Sequence, residues 1–214
     1  MTGPTATSDA LPTDTGVLVI GGGVVGVSTA LFLAERGVDV TLCEKGRVAG
    51  EQSSRNWGWI RRQGRELAEL PLMQESLALW TRLAGEFDED IGFRTGGVTY
   101  LAETDEELAV RADWLERVRE FGLSTRLLDA GETARVLGRN DLRFRGALHT
   151  PDDAFAEPAL AVPAMARLAR ARGARIVEGL AVRRLLREAG RVRGVVTERG
   201  TIRAVAVVLA GGIW

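Results

Sequence analysis

The sequence predicts an α/β fold built on parallel strands, and three features of its 214 residues carry that expectation. Val17-Leu18-Val19-Ile20 is an apolar strand that runs directly into Gly21-Gly22-Gly23-Val24-Val25-Gly26. Ala30, Leu31, Leu33 and Ala34 then give the stretch from Val27 to Arg36 a helical apolar face, closed by Gly37. Val38-Asp39-Val40-Thr41-Leu42 alternates as a second strand and leads to Glu44, 18 residues beyond Gly26. Strand, glycine turn, helix and strand in this order make a βαβ unit with the spacing of a Rossmann-like dinucleotide site.

The chemistry of the turn explains its glycines. In G-x-G-x-x-G, Gly21 permits the tight reversal, Gly23 lets backbone approach a pyrophosphate, and Gly26 lets the helix pack closely on the strand. Phosphates meet unpaired N–H groups at the positive end of the helix dipole. Glu44 matches the carboxylate that accepts hydrogen bonds from adenosine ribose hydroxyls, and its charge disfavours a 2′-phosphate, so NADP fits least. A strand-turn-helix without any ligand is the plain structural alternative.

After Glu44 comes a polar, glycine- and serine-rich loop, Gly46 to Trp59, which holds two tryptophans. Loops that follow parallel strands face the ligand, so Ser53 and Ser54 are candidates for a phosphate or ribityl chain and Trp57 for stacking near a planar ring. Trp59 is expected to anchor the loop to the core. From Glu66 to Phe87 the apolar spacing is helical, Phe93 to Leu101 reads as a strand broken at Gly96-Gly97, and Thr104-Asp105-Glu106-Glu107 is a capping-box pattern opening a helix to near Phe121. This middle region lacks strand-helix regularity and is expected to be a second, α+β unit inserted over residues 61–149. Beyond it, Pro158 opens a helix that ends at Gly173, followed by strands at Ala174–Val177, Leu180–Leu186, Val192–Thr197 and Val205–Leu209. The last ends in Ala210-Gly211-Gly212, a second glycine-rich strand end.

Composition narrows the function classes. A hydrophobic content of 45% supports a sizeable core, and a net charge of −1 argues against general nucleic-acid binding. Arg167, Arg170, Arg172 and Arg175 read as a solvated helix face. Cys43 is the only cysteine and His149 the only histidine, which excludes disulfide frameworks and clustered Cys or His metal sites within the chain. Residues 1–14 have neither a basic nor an apolar signal region and read as a disordered tail, and Ala204 to Trp214 is too short to span a bilayer. The default expectation is a cytoplasmic protein.

Four segments, the Gly21 to Glu44 unit, the GEQSSRNWGW loop, the Gly173-Ala174-Arg175-Ile176 strand entry with Val182, and Val205 to Trp214, together resemble the D-amino-acid dehydrogenase, glycine oxidase and sarcosine oxidase group of FAD-dependent oxidoreductases, the DAO family. The resemblance implies that FAD is the cofactor, with Gly21, Gly23, Val24, Val25 and Gly26 along its pyrophosphate, Glu44 on the ribose and Lys45 beside it. It also implies that Ser53 and Ser54 lie near the pyrophosphate and ribityl chain, and that Arg55, Asn56 and Trp57 approach the isoalloxazine. Val182 would offer its backbone to adenine, and Ala210, Gly211 and Gly212 would close over the cofactor. Family members run to about double this length, so the chain is expected to be an N-terminal half, with residues 15–60 and 150–214 as the two parts of the FAD-binding domain and 61–149 as the start of the substrate domain.

The activity implied is oxidation of the C–N bond of an amino acid or related amine, with hydride passing to flavin N5. Arg55 is the candidate for tuning the flavin or holding a substrate carboxylate, against a salt bridge at the loop base. Oxygen and a peripheral membrane electron carrier are both open as final acceptors. Two other readings remain at this stage: a catalytically inactive nucleotide-binding fragment, and an NAD-dependent dehydrogenase.

Overall fold

The computed structural model describes residues 11–139, 141 and 143–214. Its elements in chain order are β1 (Asp14–Ile20), α1 (Val24–Glu35), β2 (Val40–Cys43), β3 (Trp59–Ile60), α2 (Leu70–Ala84), β4 (Arg94–Thr95), β5 (Val98–Ala102), α3 (Asp105–Arg117), β6 (Arg126–Asp129), α4 (Ala130–Leu137), β7 (Gly146–Thr150), β8 (Ala154–Phe155), α5 (Pro158–Ala171), β9 (Arg175–Val177), β10 (Val182–Glu188), β11 (Arg191–Thr197) and β12 (Gly200–Leu209). They form two compact units, Trp57–Glu157 and the sequence on either side of it. The sequence placed these divisions at 61 and 150. They fall at 57 and 158 because β3 pairs with β8, and both belong to the inserted unit.

The flanking unit is built on a six-stranded sheet in the order β10-β11-β12-β1-β2-β9. Strands β12, β1, β2 and β9 are parallel, while β10 and β11 extend the sheet as an antiparallel meander. Parallel strands need cover on their faces, which is why Leu18, Val19, Val40 and Leu42 are fully buried and why α1 packs beside α5. Helix α1 stops with the N–H groups of Gly37 and Val38 returning to Ala34 and Leu33, a left-handed glycine closure. Of the expected tail, residues 1–10 lie outside the described residues. Leu11 already packs on the core and β1 begins at Asp14, because the strand register with β12 extends to Asp14–Arg203. No helix among the described residues is long and apolar enough to cross a membrane.

The inserted unit contains two three-stranded antiparallel sheets, β3-β8-β4 and β5-β7-β6. Gly96-Gly97 does separate β4 from β5. Thr104 Oγ1 accepts the Glu107 N–H, but the Glu107 carboxylate bonds the N–H of Glu103, so the expected box closes one residue early. A complete capping box appears instead at Asp129 and Glu132, opening α4. Trp59 is 46% exposed and packs against Trp57 with ring centroids 5.3 Å apart and planes inclined at 55°, so it does not anchor the loop in the core.

Asp153, completely buried, holds this unit together. Its Oδ1 accepts the N–H and Nε–H of Arg62 at 3.0 Å, and its Oδ2 accepts the N–H of Gln63 at 3.0 Å. Gln63 in turn bonds the Leu148 carbonyl and accepts from Thr150 Oγ1, so the network is satisfied by residues from three segments. Removing one member of such a buried charged set costs about 3–5 kcal/mol, because the others stay buried and unpaired. Asp153→Ala is therefore expected to lower unfolding stability by that amount in urea titrations, whereas Asp141→Ala, on an exposed pair, should leave the urea midpoint nearly unchanged.

His149 lies on central strand β7, opposite Thr99 and Arg126, with Nδ1 2.9 Å from Thr99 Oγ1. Burial, then the Arg126 charge, holds its pKa below the ordinary 6.5. As pH falls through 6.5 the unfolded chain gains a proton that the folded chain resists, so stability present at neutral pH is lost on acidification. The urea midpoint should fall between pH 7.5 and 5.0, and less so in His149→Gln.

Candidate functional site

The turn after β1 is shaped by close backbone approaches. Gly21 has φ +110°, and a Cβ there would lie 2.4 Å from the Ala210 carbonyl oxygen. A Cβ on Gly26 would lie 1.9 Å from the Gly21 carbonyl oxygen, so α1 can start at this distance from β1 only without a side chain. Gly23 is different in kind. The nearest atom to a Cβ there is Ser53 Oγ at 3.0 Å, and the remaining surface is open.

Helix α1 has no cap of its own, because its N-cap is Gly23. The cap comes from 29 residues away, where Ser53 Oγ accepts the Val24 N–H at 2.8 Å. The next two N–H groups, of Val25 and Gly26, have no hydrogen-bond partner among the described residues. Neither Asp nor Glu stands in the first turn, so the helix places no carboxylate of its own at its positive end.

Glu44 is 9% exposed and sits at the end of β2 against this turn. Its Oε2 accepts the Gly22 N–H at 2.6 Å and its Oε1 the Gly46 N–H at 2.7 Å. Both bonds orient the carboxylate, and each oxygen keeps a second lone pair for a ligand hydroxyl. Lys45 lies with its ammonium 3.8 Å from the Trp214 ring centroid and 4.0 Å from Glu51.

These elements open into one cavity of about 920 Å³, at the upper end of the roughly 300–1,000 Å³ typical of ligand sites. Gly21, Gly23, Val24, Val25, Glu44, Lys45, Ser53, Val182, Ala210, Gly211 and Gly212 all line it. Gly26 lies behind the turn, buried. Ser54 lines a smaller cavity of about 390 Å³ and bonds the Glu51 carbonyl. Arg55 is paired with Glu51 at 3.5 Å, the loop-base salt bridge, and Asn56 bonds back to the Ser53 carbonyl. Trp57 belongs to the inserted unit and is 81% exposed.

Arg47, Gln52, Arg183, Arg184 and Trp214 also line the cavity, and sequence reasoning passed them over. The arginines of β10 had a legible signal in their position directly beside Val182. The shape and donors fit a dinucleotide: open N–H groups for phosphate oxygens, an oriented carboxylate for ribose hydroxyls, and an apolar wall of Ile20, Leu180, Val207 and Leu209 for a ring system. Cys43 lines the same wall, and burial pushes its thiol up to about 11. It should resist alkylation by iodoacetamide at pH 8 in the native chain and react only after unfolding.

The two glycines make separable predictions. Gly23→Ala should leave the urea midpoint nearly unchanged while weakening dinucleotide binding, since its Cβ meets one hydroxyl and otherwise fills ligand space. Gly26→Ala should lower the midpoint and abolish binding together, since its Cβ meets backbone.

Comparison with known proteins bears directly on this cavity. The family model described as DAO, FAD dependent oxidoreductase, matches residues 16–214. A 4-methylaminobutanoate oxidase (formaldehyde-forming) of Paenarthrobacter nicotinovorans is 31% identical over 98% of this chain and 26% of its own length. The sarcosine oxidase subunit beta of an Arthrobacter species is 32% identical over 91% of this chain and 50% of its own length. Among solved structures, an L-amino acid deaminase from Proteus myxofaciens, in complex with anthranilate, superposes with a TM-score of 0.92 at 34% identity, covering 99% of this chain and 48% of that one. The chain thus spans between about a quarter and a half of the length of these relatives.

Proposed function

The chain belongs to the DAO family of FAD-dependent oxidoreductases, and from that membership we propose that it holds the FAD of an enzyme oxidising the C–N bond of an amino acid or related amine. The observation that carries this reading is the 920 Å³ cavity in which the open N–H groups of the α1 turn and the Glu44 carboxylate face one space. FAD supplies the acceptor for the electron pair leaving the substrate C–H bond when it is bound.

The chain's own residues have distinct tasks in this reading. Gly23 gives the pyrophosphate access to backbone, and the N–H of Val25 donates to its oxygens. Glu44 accepts from ribose hydroxyls, already aligned by Gly22 and Gly46. Val182 presents backbone to adenine, and Ala210 to Gly212 form the wall beside the turn. Lys45, Arg47, Arg183 and Arg184 surround the cavity with positive charge that favours a dianionic cofactor. The inserted unit is assigned to the substrate side. Relatives whose names state amine and amino-acid substrates, among them 4-methylaminobutanoate oxidase and sarcosine oxidase, support the reaction class.

Titration of the 214-residue chain with FAD, followed by flavin fluorescence, tests this reading with NAD as competitor. Saturable binding that NAD does not displace is expected. Glu44→Ala should weaken FAD binding about tenfold or more, because a hydrogen bond to a charged group contributes roughly 1.5–3 kcal/mol. Unchanged affinity in that variant would remove Glu44 from the ribose site, and displacement by NAD would reverse the cofactor assignment.

A further inference from the structure

Arg167, Arg170, Arg172 and Arg175 stand together in the sequence, but the fold gives them different surroundings. Arg172 pairs with Glu35, and Arg175 donates to Thr41 Oγ1 at 3.1 Å. Arg167 and Arg170 instead line the second cavity of the flanking unit, of about 390 Å³, which lies within the size range of ligand sites. The remaining cation of this cavity is Arg47, which comes from the loop after β2 and has no carboxylate within ion-pair distance among the described residues.

The two walls of the cavity differ in kind. One is a stripe of α5 in which Ala159, Pro163, Ala166 and then Arg167 and Arg170 recur at helical spacing, so small side chains leave the space and arginines close one end of it. The other is the loop of Arg47, Val48 and Ala49. That loop is fixed from outside, because Val48 donates to Glu178 Oε1 at 2.6 Å and Ala49 to the Gly22 carbonyl at 3.0 Å. Ala49 is held at φ +58°, a left-handed conformation that a residue with a side chain rarely adopts and that collects at ligand sites. Val48, Ala49 and Ala166 are buried whereas the three arginines are exposed, so the floor is apolar and the rim cationic.

Three guanidiniums meet one carboxylate here, and that carboxylate is already committed. Glu178 Oε1 takes the Val48 N–H, and Oε2 takes the Arg170 guanidinium at 3.0 Å. A cationic rim over a small apolar floor calls for a ligand with an anionic head and a compact carbon body. The cations approach from two walls, which suits the three oxygens of a phosphoryl group better than the single plane of a carboxylate, and its charge of about −2 matches the excess. We propose that this cavity binds a small phosphorylated molecule, its phosphoryl group between Arg47 and the Arg167–Arg170 turn of α5 and its carbon body on Ala159, Pro163 and Ala166. The site stands on these residues alone and does not depend on the cofactor reading.

The 214-residue chain, labelled with nitrogen-15, is titrated with phenyl phosphate, inorganic phosphate or benzoate at constant ionic strength set by sodium chloride. Saturable shifts of the Val48, Ser54 and Arg167 amides are expected with phenyl phosphate, at an affinity at least tenfold above that of benzoate or inorganic phosphate. Arg167→Gln, at an exposed position outside the larger cavity, should weaken that affinity at least tenfold, and Arg187→Gln, an exposed arginine of β10 outside both cavities, should leave it unchanged. Ala159→Phe, which fills the space beside α5 and removes no charge, should weaken it as much. Amides that do not move, shifts confined to Val24 and Val25 at the larger cavity, or full affinity in either Arg167→Gln or Ala159→Phe would overturn the site. Equal or tighter binding of benzoate would overturn its assignment to phosphoryl groups, and equal binding of inorganic phosphate would overturn the part given to the apolar floor.

Discussion

The arrangement of the flanking unit depends on one contact, the seat of Gly26 against the carbonyl of Gly21. That approach fixes where α1 starts, and the turn it closes is then the anchor for the ends of β2 and β12. Gly21 donates to the Cys43 carbonyl, Gly22 to the Glu44 carboxylate, Ala49 to the Gly22 carbonyl and Ala210 to the Ile20 carbonyl. The ends of β2 and β12 and the loop after β2 are therefore fastened to three residues, Ile20, Gly21 and Gly22. A side chain at Gly26 would have to displace backbone, and the displacement would be felt at each of those bonds.

Two buried carboxylates illustrate how one kind of interaction serves different ends. Asp153 accepts three N–H bonds from adjoining residues of a single segment and is spent on holding that segment in place. Glu44 accepts one N–H on each oxygen, which orients it without exhausting it. The difference lies in the number of donors presented, and it separates a structural anion from one with capacity left to recognise a ligand.

The first βαβ unit was legible in the sequence because its constraints are local. The turn needs glycine at positions 21 and 26 whatever the rest of the chain does, and a carboxylate must follow at the end of the next strand. The helix at 158–171 and the strands after it were legible for the same reason, as glycine, proline and alternation are written within a few residues of the elements they bound. What escaped the sequence reading is non-local. Ser53 caps a helix 29 residues earlier, and nothing beside Ser53 announces it. Strands β6, β7 and β8 are short, and their pairing gives them an identity that their own residues do not. For Arg55 the sequence left a ligand role and a salt bridge at the loop base both open, and it is the distance to Glu51, one turn earlier, that the fold supplies. Arg167 and Arg170 read as part of a solvated face until the fold set them on one cavity with Arg47.

The sheet order also dictates when the two units can form. Strand β1 pairs with β12, so Val17 waits for Ala206, and the parallel core cannot close until almost the whole described chain is available. The inserted unit is contiguous, and its strands find one another over far shorter separations. During synthesis its pairings can therefore form first, while β1, α1 and β2 wait as an apolar βαβ unit without their neighbours. Placing a contiguous unit between two halves of a slow parallel sheet shortens the effective loop that the sheet must close, because the insert brings its own two ends together through the β3–β8 pairing.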